Sequence, residues 1–105
     1  MLLGDVLKEF VFECEIRRLS KRTIMSYRNN TALFFTFLEN EFGIVELEKI
    51  TSAHIKSYMQ FFIKKGLTES YANGVMKCFR AFFKYCMQEE YISINPCNKV
   101  YYLPK

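Results

Sequence analysis

The chain of 105 residues contains little that interrupts a helix, since it has only four glycines and two prolines. Because both residue types break regular structure, their scarcity favours long elements joined by short connections. No apolar run approaches the roughly 20 residues that a membrane-spanning helix needs, and residues 1–4 lead directly into Asp5 without a targeting segment. The sequence therefore predicts a cytoplasmic protein with no membrane partner.

Metal ligands are equally scarce. There is one histidine, His54, and no pair of cysteines has the CxxC spacing, whereas a structural zinc site needs four ligands in close pairs. Paired carboxylates and glycine-rich phosphate loops are also missing. We therefore expect no metal, no cofactor and no catalytic residue, and we expect His54 to be structural or exposed. The four cysteines are expected to be reduced and mostly buried: Cys14, Cys78, Cys86 and Cys97.

Hydrophobic residues make up half of the chain, and eleven phenylalanines and seven tyrosines dominate them. Their spacing follows the period of an α-helix, and no alternation argues for a strand. The spacing and the capping residues predict four helices: residues 4–18, a helix from Ser20 to Gly43, one from Thr51 or Ser52 to Gly66, and one from Thr68 to about residue 90. The predicted fold is all-α, a single compact bundle of these four main helices.

Each predicted helix carries an apolar stripe that should be buried. Tyr27 lies on the stripe of the second helix, so we assign it to the core rather than to nucleophilic chemistry. The connection between the second and third helices should pack Val45, Leu47 and Ile50 against the bundle. The other predicted core positions of the second and third helices are Ile24, Phe34, Phe35, Leu38, Phe42, Ile55, Tyr58, Met59, Phe62 and Ile63.

Basic residues are concentrated in two stretches of the chain, whose formal net charge is +4. Every charged residue between positions 16 and 38 is basic, and positions 49–88 hold seven basic residues against one acid, Glu69. Acidic residues cluster before and between these stretches. The pattern indicates one positive face on the fold, and such a face attracts a polyanion.

The fourth helix carries the clearest functional pattern. Asn73, Lys77, Arg80 and Lys84 are spaced four, three and four residues apart, so they form one narrow stripe opposite the aromatic face. Lysine and arginine neutralise phosphates, while asparagine and arginine read base edges in the major groove. The alternative is a solvated polar face, and Arg80 has a second alternative role, with its stem packed structurally on the aromatic core.

A second cluster lies at the start of the second helix. Lys21, Arg22 and Thr23 place two cations and a hydroxyl beside free backbone amides, and helix N-termini bind phosphate. Ser26 and Arg28 continue the polar surface over the next turns. Ordinary helix capping beside solvated side chains is the alternative for this cluster.

Four short motifs occur along the chain in a familiar order: Leu19-Ser20-Lys21-Arg22-Thr23-Ile24 with Tyr27-Arg28; Leu47-Glu48-Lys49-Ile50-Thr51 with Ile55 and Tyr58; Gly66-Leu67-Thr68 with Ser70, Asn73 and Arg80-Ala81-Phe82-Phe83-Lys84-Tyr85; and Glu90-Tyr91-Ile92 with Asn95-Pro96. This series resembles the N-terminal core-binding domain of phage-type tyrosine recombinases (integrases), whose fold is SAM-like. The chain departs from the family's pattern at Thr31, where a core leucine is usual, at Tyr71 in place of threonine, and at Gly74 in place of a basic residue.

The resemblance implies a division of labour. Residues 1–95 would form the DNA-binding domain, and residues 96–105 would begin a linker to a C-terminal catalytic domain that supplies the arginines, histidine and nucleophilic tyrosine. This stretch would then bind double-stranded DNA without cleaving it. Full-length protomers would meet on DNA, and the fragment alone would be monomeric. The residues predicted to contact DNA are Lys21, Arg22, Thr23, Ser26, Arg28, Ser70, Asn73, Lys77, Arg80 and Lys84.

Two other functions are compatible with parts of this pattern. One is a helical protein-interaction module whose basic face meets an acidic partner. The other is a helix-turn-helix regulator, which is less favoured because the second and fourth helices are too long and no short turn leads into a recognition helix.

Overall fold

The computed structural model describes residues 1–104 and has the all-α architecture that the sequence predicts. Within that range, four α-helices and two short 3-10 helices account for the regular structure, and no strand is present beyond an isolated bridge between Leu2 and Glu46. The α-helices are α1 (Leu3–Ile16), α2 (Lys21–Phe42), α3 (Ser52–Lys64) and α4 (Glu69–Gln88). The 3-10 helices are Leu47–Lys49 and Pro96–Lys99.

The helix ends follow from local capping chemistry. The Ser20 hydroxyl accepts the amide of Thr23 at 3.1 Å, which satisfies one of the free donors in the first turn of α2. Gly43 ends the same helix with a left-handed φ of 65°, a conformation that glycine adopts without strain. The Thr68 hydroxyl accepts the amide of Tyr71 at 3.1 Å at the start of α4. The sequence predicts these three helix-end positions, and the structure confirms them.

Aromatic rings form the centre of the bundle. Phe34 of α2 and Phe79 of α4 lie with their ring centroids 4.6 Å apart, and both are fully buried. Phe82 meets Phe10 of α1 edge-to-face at 5.4 Å. The ring of Tyr58 brings α3 to within 5.1 Å of Phe34. Because each ring removes a large apolar area from water, these few contacts unite all four helices in one core.

Three residues predicted to be buried are exposed instead. The exposed fraction is 46% for Phe42, 43% for Val45 and 56% for Ile63. Phe42 is the last residue of α2, where no further helical turn covers its outer side, although its ring still packs edge-to-face against His54 at 4.8 Å. Tyr27 is half-buried and stacks on Phe10 at 5.8 Å.

The chain after α4 turns back onto the bundle. Pro96, Cys97 and Val100 are buried, and Leu103 packs partly against the core. We call residues 100–104 the exit segment. The domain boundary that the sequence places after residue 95 stays a prediction, while the described residues beyond it pack on the same core. No helix in residues 1–104 is both long enough and apolar enough to cross a membrane.

Candidate nucleic-acid interface

Two exposed cations lie at the N-terminus of α2, beside the Ser20 cap. Lys21 and Arg22 occupy the first two positions of the helix, and both are exposed. Thr23 is half-buried, and its hydroxyl accepts a hydrogen bond from the Ser20 hydroxyl at 2.9 Å. The Thr23 side chain is therefore committed to the cap, whereas the two cations extend from the positive end of the helix dipole.

Helices α2 and α4 adjoin at the next turn. The Ser26 hydroxyl of α2 lies 3.6 Å from the Cys78 sulfur of α4. The side-chain amide of Asn30 donates to the Ser26 carbonyl at 3.0 Å and also reaches the Cys78 sulfur, at 3.6 Å. The Cys78 thiol in turn donates to the Gly74 carbonyl at 3.4 Å. This junction brings the polar surface of α2 beside the Gly74–Cys78 turn of α4.

Arg28 lies on α2 about two turns beyond the Ser20 cap. Its side chain is exposed, and its Nε donates only a long hydrogen bond, 3.4 Å, to the side-chain oxygen of the neighbouring Asn29. This contact is close to the limit for a hydrogen bond, so the guanidinium remains accessible to an anion.

The polar side chains predicted as DNA contacts on α4 fall into two groups: some are exposed to solvent, and others contact the exit segment. Ser70, Lys77 and Lys84 are exposed, and the first two line a shallow groove together with Gly74. Asn73 and Arg80 are half-buried and contact the exit segment.

Asn73 binds the main chain of Leu103 in both directions. Its Nδ2 donates to the Leu103 carbonyl at 2.9 Å, and its Oδ1 accepts the Leu103 amide at 2.7 Å. Arg80 donates from Nη2 to the Val100 carbonyl at 2.6 Å, and its guanidinium lies 4.7 Å from the centre of the Tyr102 ring. The sequence pattern predicted these two residues as DNA contacts. In this conformation both side chains instead form hydrogen bonds with the main chain of the exit segment.

The sequence analysis missed this docking because it treated residues 100–104 only as the start of a connection. The available signal was the apolar run Tyr101-Tyr102-Leu103, which is unusual for an unpacked linker. For Arg80, the alternative role as a packed arginine describes the observed contacts.

Salt bridges do not neutralise this surface. Within residues 1–104, the one ion pair joins the Met1 ammonium to Glu48, at 2.6 Å. The exposed cations of α2 and α4 therefore have no carboxylate partner in the described chain. Such unpaired positive charge produces an attractive potential for an anionic ligand.

The remaining chemically distinctive groups are structural in this conformation. The Nδ1 atom of His54 accepts the Thr51 amide at 2.9 Å at the start of α3, and burial lowers the His54 pKa below 6.5. All four cysteines are free and buried. Burial raises the pKa of Cys86 to about 12 and that of Cys97 to about 11, so neither is a reactive thiolate. No cluster of three or more potential metal ligands occurs in the part of the chain that the structure describes.

The structure is a four-helix bundle in which α2 lies beside α4. Both helices carry exposed cations without an ion-pair partner among the described residues, which defines a small all-α domain with a candidate polyanion-binding face. The sequence model of the phage integrase SAM-like domain matches residues 2–100. The chain belongs to this family, as an N-terminal SAM-like domain of a tyrosine recombinase.

The chain is also similar to several curated tyrosine recombinases. The chain is 31% identical over 81 residues to tyrosine recombinase XerC of Thermodesulfovibrio yellowstonii, covering 77% of this chain and 25% of the relative. It is 25% identical over 95 residues to tyrosine recombinase XerC of Staphylococcus carnosus, covering 90% of this chain and 31% of the relative. For XerC of Treponema denticola the identity is 25% over 100 residues, covering 93% of this chain and 32% of the relative. The chain thus spans only a quarter to a third of these proteins, and no solved structure matches it.

Proposed function

We propose that this domain binds duplex DNA for a site-specific tyrosine recombinase, through the surface where the N-terminal half of α2 meets α4. The observation that carries the proposal is the contact of Ser26 with Cys78, which places the N-terminal half of α2 beside α4. Both helices carry exposed cations that have no carboxylate partner among the described residues. Lys21 and Arg22 lie on one side of this junction, and Lys77 and Lys84 lie on the other helix. Family membership supports DNA as the partner.

Phosphate binding is the main chemistry that this surface offers. Lysine and arginine release counterions from DNA when they neutralise its phosphates, and free amides at the start of α2 add donors at the positive end of a helix dipole. Ser26, Arg28 and Ser70 supply further donors along the two helices. Asn73 and Arg80 are the residues suited to base edges, once they are free of the exit segment.

Strand cleavage is assigned to the rest of the recombinase. Tyr27 is half-buried, and burial raises its pKa above 10.0, so its phenol is poorly suited to nucleophilic attack. We propose that this chain grips DNA without cutting it, that residues beyond 95 lead toward a catalytic domain, and that full-length protomers meet on DNA while this domain alone is monomeric. The cytoplasmic location stays a prediction.

The test is the affinity of the 105-residue chain for a mixed-sequence DNA duplex at increasing salt. Each neutralised phosphate contributes a slope of about −0.9 in the logarithm of affinity against the logarithm of salt, so a surface of several cations predicts a steep loss of binding. Absence of binding at low salt would refute the proposal. Salt-dependent binding to an acidic polypeptide, with none to DNA, would instead support the protein-interaction alternative.

A further inference from the structure

The exit segment lies antiparallel to α4 in a matched register. Asn73 contacts Leu103, and Arg80, seven residues later in α4, contacts Val100, three residues earlier in the exit segment. Seven helical residues rise about 10 Å, and three extended residues also span about 10 Å. The two contacts therefore hold an extended backbone without stretching it. The surface of α4 matches the length of this particular segment.

The exit segment covers the part of α4 that the proposed function assigns to base contacts. Both polar atoms of the Asn73 amide are occupied by the Leu103 main chain. The Arg80 guanidinium is held between the Val100 carbonyl and the Tyr102 ring. Lys77 lines the groove that Tyr102 and Leu103 border. A DNA groove and the exit segment cannot use these groups at the same time.

Few contacts hold the exit segment on α4, and one of them leaves a buried donor without a partner. Tyr101 is 79% exposed and Tyr102 is 46% exposed, so the segment adds little apolar burial beyond Val100 and Leu103. The Arg80 Nε is buried with no hydrogen-bond partner among the described residues, and an unsatisfied buried donor opposes the closed state. Segments held in this way open locally while the core remains folded.

We propose that the exit segment is a strap, which closes over α4 in the DNA-free domain, withholds Asn73 and Arg80 from DNA, and is displaced when DNA binds. This inference rests on the proposed DNA-binding function. In its simplest form the strap reduces the apparent affinity by the fraction of molecules in which it is open. A strap that is closed in about nine molecules of ten weakens binding about tenfold.

Two substitutions in the full 105-residue chain release the strap without altering α4. Tyr102→Ala removes the ring beneath Arg80, and Leu103→Pro removes the amide that donates to Asn73. The matched control is Tyr101→Ala, which deletes a neighbouring ring that is 79% exposed. Circular dichroism verifies that the three variants keep the helical content of the parent chain.

Affinity for a short mixed-sequence DNA duplex at low salt provides the first measurement. We expect both releasing variants to bind more tightly than the parent by up to about tenfold, and Tyr101→Ala to bind like the parent. Equal affinities for all four proteins overturn the strap and leave the DNA-binding proposal standing. Weaker binding by the releasing variants also overturns it, because the segment would then belong to the DNA-binding surface. If no protein binds DNA, the proposed function fails and the withholding role fails with it.

Hydrogen exchange at the Leu103 amide provides a second measurement that needs no DNA. The amide should exchange up to about tenfold more slowly in the parent and in Tyr101→Ala than in Tyr102→Ala. Saturating DNA should speed its exchange in the parent. Fast exchange in the DNA-free parent would overturn the strap, as would slow exchange that DNA leaves unchanged while DNA binding is observed.

Discussion

The Nη2 of Arg80 donates to the main-chain carbonyl of Val100 at 2.6 Å, and this bond ties the middle of α4 to the chain that leaves the second 3-10 helix. The same guanidinium stacks on the Tyr102 ring. A basic residue that looks like a DNA contact in sequence thus has a structural task. Its substitution should affect folding as well as binding.

We expect Arg80→Ala to lower the free energy of unfolding by about 1 kcal/mol, because the Val100 carbonyl loses its charged donor and the Tyr102 ring loses a cation. Lys77→Ala, one turn earlier on the exposed side of the same helix, should change it by less than about 0.5 kcal/mol. Urea denaturation of both variants gives the comparison. Equal stabilities would show that the Arg80 contacts do not stabilise the fold.

Charge reversal at the N-terminus of α2 tests the proposed interface away from the exit segment. Lys21→Glu and Arg22→Glu should each weaken duplex binding and reduce the salt dependence by about one phosphate's contribution. Both proteins should be at least as stable as the parent, because both positions are exposed and an acidic residue suits the positive end of the α2 dipole. Lys56→Glu on α3 makes the same change in net charge outside the proposed surface. If Lys56→Glu weakens binding equally, the interface is not localised where we propose it.

Thr31 presents a polar group to an apolar interior. It is fully buried in the middle of α2, and its hydroxyl has no hydrogen-bond partner among the described residues. Thr31→Val replaces that hydroxyl with a methyl group of similar size and should raise the free energy of unfolding by about 1 kcal/mol, because an unsatisfied buried polar atom is removed. Thermal unfolding measures the gain.

The control for that substitution lies on the same helix. Thr36 is exposed, and its hydroxyl donates to the Ala32 carbonyl at 3.2 Å. Thr36→Val should be nearly neutral, since water can replace the lost partner. A gain from Thr36→Val equal to that from Thr31→Val would attribute the effect to helix propensity and contradict the burial argument.

Local chemistry is the part of this structure that the sequence predicts well. Ser20, Gly43 and Thr68 act at the helix ends because a cap depends on residues within one turn, and the apolar spacing specifies which face of each helix is buried. Phe42 and Ile63 near helix ends are exposed because periodicity does not reveal where a neighbouring helix stops.

The engagement of Asn73 and Arg80 depends on contacts between residues 20 to 30 positions apart. Only the tertiary fold brings the exit segment to α4. The spacing of Asn73 and Arg80 could therefore predict that they share a face of the helix, but not that the exit segment binds to that face. Family membership was predictable because several weak motifs occur in order along the chain, and the match over residues 2–100 confirms it.

His54 contributes to a cap that depends on its protonation state. Its Nδ1 accepts the Thr51 amide at 2.9 Å, which requires an unprotonated nitrogen. Burial lowers the pKa of His54 below its ordinary value of 6.5. The unfolded chain therefore binds the proton more readily than the folded chain, so the stability that His54 confers is complete above pH 6.5 and is lost as the pH falls from 6.5 through the folded-state pKa.

The expected outcome is a steeper loss of stability between neutral pH and about pH 5 in the parent chain than in His54→Gln. Glutamine at this third helical position accepts the same amide in a capping box but carries no charge at any of these pH values, so it preserves the cap and removes the titration. Carboxylates elsewhere titrate in both proteins and cancel in the comparison. The measurement is the denaturant midpoint of the parent and of His54→Gln across this pH range. If the midpoint changes with pH in the same way for both proteins, protonation of His54 is not linked to unfolding.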